Sequence, residues 1–271
     1  TFTSGGLSGT GIVSATVGGT LTAVASVEVT AGPVTTMTLS AAPTTLPANG
    51  VALSNLTVTM VDCLGNPIPD GELVGFTTTL GSIVNYAFVE AESSVVMTST
   101  GWSGVNDPTA SGGRYLNSTT PGAAASWVFR GEGVALRYRR FGSGGVMRVR
   151  IDAGAPIDVD TNGAGAWVER VIATGLSPYV DHVIEVTVQS ATIRLDAFRS
   201  GPVSSGGQAL AQLKAPALAI LSPTETHTAT VYATERIGHL PLTDLVVTTT
   251  VIFGQGDVVW VDDNWVGLPN G

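Results

Sequence analysis

Apolar and polar residues alternate along most of this chain, and the alternation stops at short clusters of Gly, Pro, Asn and Asp. A period of two sends successive side chains to opposite faces, the signature of strands with one buried face. The first two such segments are GIVSATVGG and LTAVASVEVTAG, parted by Gly18-Gly19 and closed by Gly32-Pro33. LTVTMVD at 56–62, VGFTTTLGSIV at 74–84, HTATVYATE at 227–235 and LVVTTTVIF at 245–253 follow the same rule. The longest run is SWVFRGEGVALRYRRF at 126–141, which turns at Gly142-Ser143-Gly144-Gly145 and alternates again through VMRVRID at 146–152. That pattern predicts a long hairpin in which Arg139 faces Arg148 and Arg137 faces Arg150.

No segment carries a sustained helical period. With 34 Gly, only 12% charged residues and abundant Thr, Val and Ala, the composition predicts an all-β protein. At 271 residues the chain exceeds the ~100–150 residues of a typical single core, so two or three modules are expected. The two strands within residues 1–33 cannot bury a core of their own. They require a preceding domain, the next domain or a neighbouring copy of the protein, the last by strand addition.

Charge narrows the partners. The net charge of -9, from 12 Lys and Arg against 21 Asp and Glu, argues against nucleic acid or an anionic membrane as the main partner. No window holds the ~18 consecutive apolar residues of a membrane span, so no membrane insertion is expected. The chain opens at Thr1 without a basic-then-apolar leader, which suggests a processed or excised piece. A lone cysteine, Cys63, excludes an internal disulfide and reads as a small buried residue. Asn55-Leu56-Thr57 and Asn117-Ser118-Thr119 permit glycosylation in a secretory setting.

Two resemblances organise the modules. The stretch Asn106-Asp107 to Gly112-Gly113 with Tyr115, Trp127-Val128-Phe129 before Gly131-Glu132-Gly133-Val134, RVRID at 148–152 and IRLDAF at 193–198 together resemble galactose-binding-like β-jelly-roll modules of secreted, glycan-active proteins. Pro43, the Leu46-Pro47-Ala48-Asn49-Gly50 turn, Asp62 and Gly65-Asn66-Pro67-Ile68-Pro69 are similar to bacterial Ig-like domains of the invasin and intimin type. That second pattern breaks near Tyr86 and resumes at Ser205 with GGQALAQLKAPA. The expected order is therefore closing strands of an Ig-like domain at 1–33, a discontinuous Ig-like β-sandwich at 34–85 and 205–253, an inserted jelly-roll at 86–204, and a linker or following module at 254–271. A secreted or cell-surface location follows from the resemblance.

Several residues could carry chemistry. Asp158, Asp160, Asn162 and Gly163, with Glu169 after five further residues, satisfy the spacing of a calcium loop. The flanks read as strands, so a polar turn rich in Asp and Asn explains the same letters. The jelly-roll resemblance implies a structural Ca2+ between Glu92, beside Glu90, and Asp196; solvated carboxylates at strand ends are the alternative. Sugar recognition needs an aromatic face and a few fixed polar groups. Trp102 with Asn106, Asp107, Arg114 and Tyr115 could supply them, or Trp102 could fill the core, as Trp127 and Phe129 are expected to do. The facing pairs among Arg137, Arg139, Arg148 and Arg150 repel. Carboxylates such as Glu169 or Glu185 could compensate, or an acidic sugar that Arg binds in bidentate fashion. His182, His227 and His239 share no ligand spacing, adjacent Asp262 and Asp263 point apart in a strand, and no nucleophile motif occurs, so no enzyme is expected. The expected function is a surface or stalk segment whose jelly-roll presents a polysaccharide-binding, adhesive surface. The alternative is a subunit of a filament or surface layer assembled by strand exchange.

Overall fold

A computed structural model describes residues 3, 5–19, 21–218, 225–236 and 244–254. His239, Asp262, Asp263 and all but the first residue of the expected linker or module at 254–271 lie outside these residues. The fold is all-β, as the alternation predicts. In chain order the strands are β1 (Gly9–Val17), β2 (Leu21–Val29), β3 (Thr36–Ala42), β4 (Thr45–Pro47), β5 (Leu53–Val61), β6 (Gly75–Thr78) and β7 (Ser82–Val84). Next come β8 (Ala87–Glu90), β9 (Met97–Thr98), β10 (Ser103–Asn106), β11 (Arg114–Ser118), β12 (Ala124–Phe129), β13 (Gly133–Arg140) and β14 (Val146–Ile151). The last are β15 (Ile157–Asp160), β16 (Ala166–Ala173), β17 (His182–Val188), β18 (Ile193–Gly201), β19 (Gln208–Lys214), β20 (His227–Arg236) and β21 (Asp244–Gly254).

One sandwich packs the sheet β3-β5-β19-β7 against β4-β21-β20-β6. Both sheets mix strands from before residue 86 and after residue 204: β19 runs antiparallel between β5 and β7, and β6 pairs with β20. Leu56, Met60, Phe76, Leu213 and Phe253 are buried between them. A second sandwich, formed by the intervening residues, packs β10-β11-β18-β13-β16, with β8 on β18, against β15-β14-β17-β12-β9. Its core holds Trp127, Phe129, Leu136, Met147, Ile184 and Phe198. The protein is thus an Ig-like sandwich carrying a jelly-roll in one loop. Phe76 and Tyr86 meet edge to face at 6.4 Å, Glu132 Oε2 accepts from Val203 N at 3.1 Å, and Val74 N donates to Pro202 O at 3.1 Å, joining the two.

β1 and β2 form a two-stranded sheet paired with no other strand among the described residues. Register places Val13 opposite Ala25 and Ala15 opposite Ala23, so one face is entirely small and apolar, and these four side chains stand exposed. The hairpin is tethered by polar contacts: Ser8 N and Gly6 O bond the amide of Asn66, and Gly32 N donates to Asp62 Oδ2. The Asn66 side chain and then the Gly32 amide hold the Asp62 carboxyl well below the usual carboxylate range.

Two expectations are corrected. β13 and β14 are not a hairpin: β13 pairs with β16 and β18, β14 with β15 and β17, in opposite sheets. The Gly142–Gly145 segment arches over the core edge, because each strand has its own apolar face and the two faces meet across the core. Arg139 therefore never faces Arg148, and Arg137 never faces Arg150. Cys63 is exposed, not buried. β5 ends at Val61 because the Asp62 carboxylate accepts from Leu64 N and Asn66 N, at 2.8 and 2.9 Å, bending the chain before Cys63 can enter the strand.

Candidate functional site

The outer face of the jelly-roll's six-stranded sheet carries most of the chemistry. β13 and β18 shift register between Arg137 and Tyr138, which leaves Asp196 as the extra residue of a β-bulge. Its side chain is fully buried, accepts from Arg137 Nε and takes bifurcated bonds from Ser111 N at 3.1 and 3.2 Å. Glu90 stands beside it on β8, with Oε1 accepting from Ser111 Oγ at 2.8 Å. Burial raises the pKa of both carboxyls; the charge of Glu92 adds to it at both, and that of Asp196 adds to it at Glu90. Glu90 Oε2 and Glu92 Oε2 are buried with no hydrogen-bond partner. Arg137 is thus paired with Asp196 and lowers the charge burden on Glu90 as well.

Toward one end of the same face lies an aromatic and arginine patch. Trp167 on β16 is directly across from Arg139, whose guanidinium lies 5.5 Å from the indole centroid. Trp167 Nε1 donates to Thr109 Oγ1 at 3.0 Å, and the ring of Tyr115 meets Trp167 edge-on at 5.3 Å. Arg139 Nη1 bonds Asp107 Oδ2 at 2.6 Å, and Asp107 is held acidic chiefly by its bonds from Thr109 and further by Arg139. Arg194 lies 4.1 Å over Phe141 and 5.8 Å from Tyr115, forms no ion pair within the described residues, and has a buried Nε without an acceptor. Asp107, Tyr115 and Arg139 are therefore gathered as the sequence suggested. Trp102 instead leans half-buried on the core with its Nε1 unpaired, while Asn106 and Arg114 lie opposite each other, exposed, at the β10–β11 edge. Trp127 and Phe129 are core residues, stacked at 5.3 Å.

The calcium-loop residues are not brought together. Asp158 stands on the outer face of the five-stranded sheet in a bidentate pair with Arg148, at 2.8 and 3.0 Å, and that pair lowers its pKa. Asp160 Oδ1 accepts from Asn162 N at 2.8 Å, forming a local turn. Glu169 lies on the far side of the sandwich, on β16, ion-paired with Arg199. Val159 and Val168, buried in the core, separate the two ends of the spacing. Of the four arginines of the expected hairpin, Arg137 pairs with Asp196, Arg139 with Asp107 and Arg148 with Asp158, and Arg150 lies opposite Glu185. His182 is a clamp: Nδ1 faces Asp152 Oδ2 at 2.7 Å and Nε2 faces Ser177 O at 2.9 Å, so two acceptors favour the imidazolium and raise its pKa, the Asp152 bond foremost.

Trp167, Phe141 and Arg194 escaped the sequence reading. Trp167 was hidden inside the calcium-loop spacing, and Phe141 was read as the flank of a turn. One signal was available, since Ile193-Arg194-Leu195 alternates and so puts Arg194 on the outer face.

No family model matches this chain, and no curated protein does. Among solved structures, it is similar to a family two carbohydrate esterase from Cellvibrio japonicus (16% identity, 52% of this chain and 37% of that one, TM-score 0.35). It is also similar to an exo-β-1,3-galactanase from Phanerochaete chrysosporium (20% identity, 45% and 30%, TM-score 0.35). A third is the C-terminal CBM6 of LamC, a marine laminarinase from Zobellia galactanivorans (18% identity, 45% of this chain and 100% of that one, TM-score 0.33). The chain spans about a third of the length of the first two. These are distant likenesses to carbohydrate-active domains.

Proposed function

We propose that the jelly-roll is a non-catalytic polysaccharide-binding module of a secreted or surface protein, with Trp167, Phe141 and Arg194 as its sugar-facing patch, backed by the buried ring of Tyr115. The observation that carries this reading is Arg194, a guanidinium held between two aromatic rings with no carboxylate paired to it among the described residues. Aromatic faces suit the C–H side of a pyranose, and a free guanidinium adds a preference for a carboxylate-bearing sugar such as a uronate. Binding to alginate and pectate, measured by affinity electrophoresis and calorimetry, is expected to fall about 10-fold in Trp167→Ala and in Arg194→Ala. A wild-type protein that ignores both alginate and pectate would reject the reading.

The Glu90, Glu92 and Asp196 cluster fits a structural calcium ion in its donor chemistry, with hard carboxylate oxygens of which two are orphaned. Among the described residues no group of three or more His, Cys, Asp or Glu is already arranged as a ligand set. Ca2+ held there would neutralise the excess carboxylates and tie β8 to β18.

A second reading, assembly into a filament or surface layer, is favoured by one observation, the uncovered apolar face of β1 and β2. On that face Val13 and Val17 are 39% and 72% exposed, beside the exposed Ala15, Ala23 and Ala25. If that hairpin exchanges between copies, sedimentation velocity of residues 1–271 gives concentration-dependent oligomers that vanish on deleting residues 1–33. A monomer with or without those residues rules it out.

A further inference from the structure

We infer that the junction of the two sandwiches is a separate binding site for a neutral oligosaccharide. A cleft of about 520 Å³ opens there, with its floor on the outer face of the Ig-like sheet and its wall on jelly-roll loops. The floor follows from strand register. Val84, Gln212 and Asn55 lie side by side across β7, β19 and β5, and Leu210 lies beside Thr57 in the next row. Strands spaced ~4.8 Å apart make this floor about 10 Å wide, enough for a pyranose ring lying flat. Gln212 Nε2 donates to Asn55 Oδ1 at 3.0 Å, which orients both amides and leaves Asn55 Nδ2 and Gln212 Oε1 to face a ligand.

The wall supplies the aromatic group. Tyr179 is 82% exposed, although the loop that carries it is fastened at both ends. Leu176 N donates to Glu132 O at 2.9 Å, Ser177 O meets the His182 ring at 2.9 Å, and Asp181 pairs with Arg130 at 2.6 Å. A large ring held in solvent on an anchored loop is a preorganised stacking surface, and Leu210, 62% exposed, faces the same cleft from the floor. Asn85 closes one end, in the left-handed region at φ 58, where a non-glycine residue is held at some cost.

The lining also defines the ligand's charge. Among the described residues no Lys, Arg or His lines the cleft, and the one ionisable carboxyl is Glu132, oriented by the bond it accepts from Val203 N. A uronate would be repelled and a phosphate would find no cation, whereas hydroxyl groups meet amides and a threonine, which both donate and accept, and a carboxylate, which accepts. The cleft and the Trp167 patch thus differ in ligand class, neutral against acidic, and the first stands whether or not the second does.

Calorimetry of the full chain with hexaoses of β-1,4-glucan, β-1,4-mannan, β-1,3-glucan and β-1,4-xylan tests the inference. At least one is expected to bind, with affinity falling 5-fold or more in Tyr179→Ala and in Gln212→Ala, on the order of one lost stacking or hydrogen-bonding contact, and unchanged in Trp167→Ala. Tyr179 is exposed enough that its removal leaves the fold intact, and circular dichroism verifies this. The inference is overturned if none of the four binds at about 10 mM, if binding survives Tyr179→Ala undiminished, or if Trp167→Ala weakens it as much as Tyr179→Ala does.

Discussion

Arg137→Met is expected to destabilise the jelly-roll by about 3–5 kcal/mol, read as a lower urea midpoint at neutral pH with a chelator present. Arg137 is the counter-charge of Asp196, whose side chain is fully buried, while Arg137 itself is 11% exposed. Removing it leaves Asp196, Glu90 and Glu92 repelling one another where water cannot screen them. The sign of the pH dependence follows from the raised pKa values of Asp196 and Glu90. Carboxyls raised in the folded state contribute their stabilising term below their unfolded values near ~4, and lose it as pH rises through the folded values. The deficit of the variant should therefore shrink as the medium is acidified toward about pH 4. Millimolar calcium in place of chelator should recover part of it if the carboxylates hold that ion. An unchanged midpoint at neutral pH would mean that the cluster is already protonated in the folded protein.

Gly145→Ala is expected to be comparably severe, at least about 3 kcal/mol, and to abolish cooperative unfolding of the jelly-roll if the arch cannot shift. A Cβ at Gly145 would sit 1.7 Å from Ser190 O and 3.0 Å from Ala191 Cβ, in the segment joining β17 to β18. Gly145 N also donates to Thr192 O, and Gly145 O accepts from Thr161 N, so backbone on both sides fixes its position. The control is three residues away. At Gly142 nothing lies within 4 Å of an added Cβ, and Gly142→Ala should melt at nearly the wild-type temperature. Two variants of equal stability would show that the arch is looser than its contacts indicate.

That pair also shows what can be read from letters alone. The alternation around Gly142–Gly145 encodes which face of β13 and of β14 is apolar, and both faces are indeed buried. It does not encode which strand lies alongside, because a hairpin and an arch between two sheets present the same period of two. The all-β class and the core roles of Trp127 and Phe129 were legible because they depend only on burial. The candidate site was legible where partners are near in sequence, as with Asp107 beside Tyr115. It was obscure where they converge from far apart: Arg139, Trp167 and Arg194 meet through the order of strands β11, β18, β13 and β16. The calcium-loop spacing shows the converse. All of its letters are present, yet its first and last carboxylates fall on opposite sides of a sandwich, because the intervening turn carries the chain from one sheet to the other.

β7 and β19, the strands from which the jelly-roll departs and to which it returns, are hydrogen-bonded neighbours. A pull on the two ends of this polypeptide enters the Ig-like sandwich through β3 and leaves through β21, and both strands are held by their own sheets. While β7 stays paired with β19, the jelly-roll hangs beside the line of tension rather than within it. Tension along the chain would therefore stretch the Ig-like sandwich before it distorted the jelly-roll.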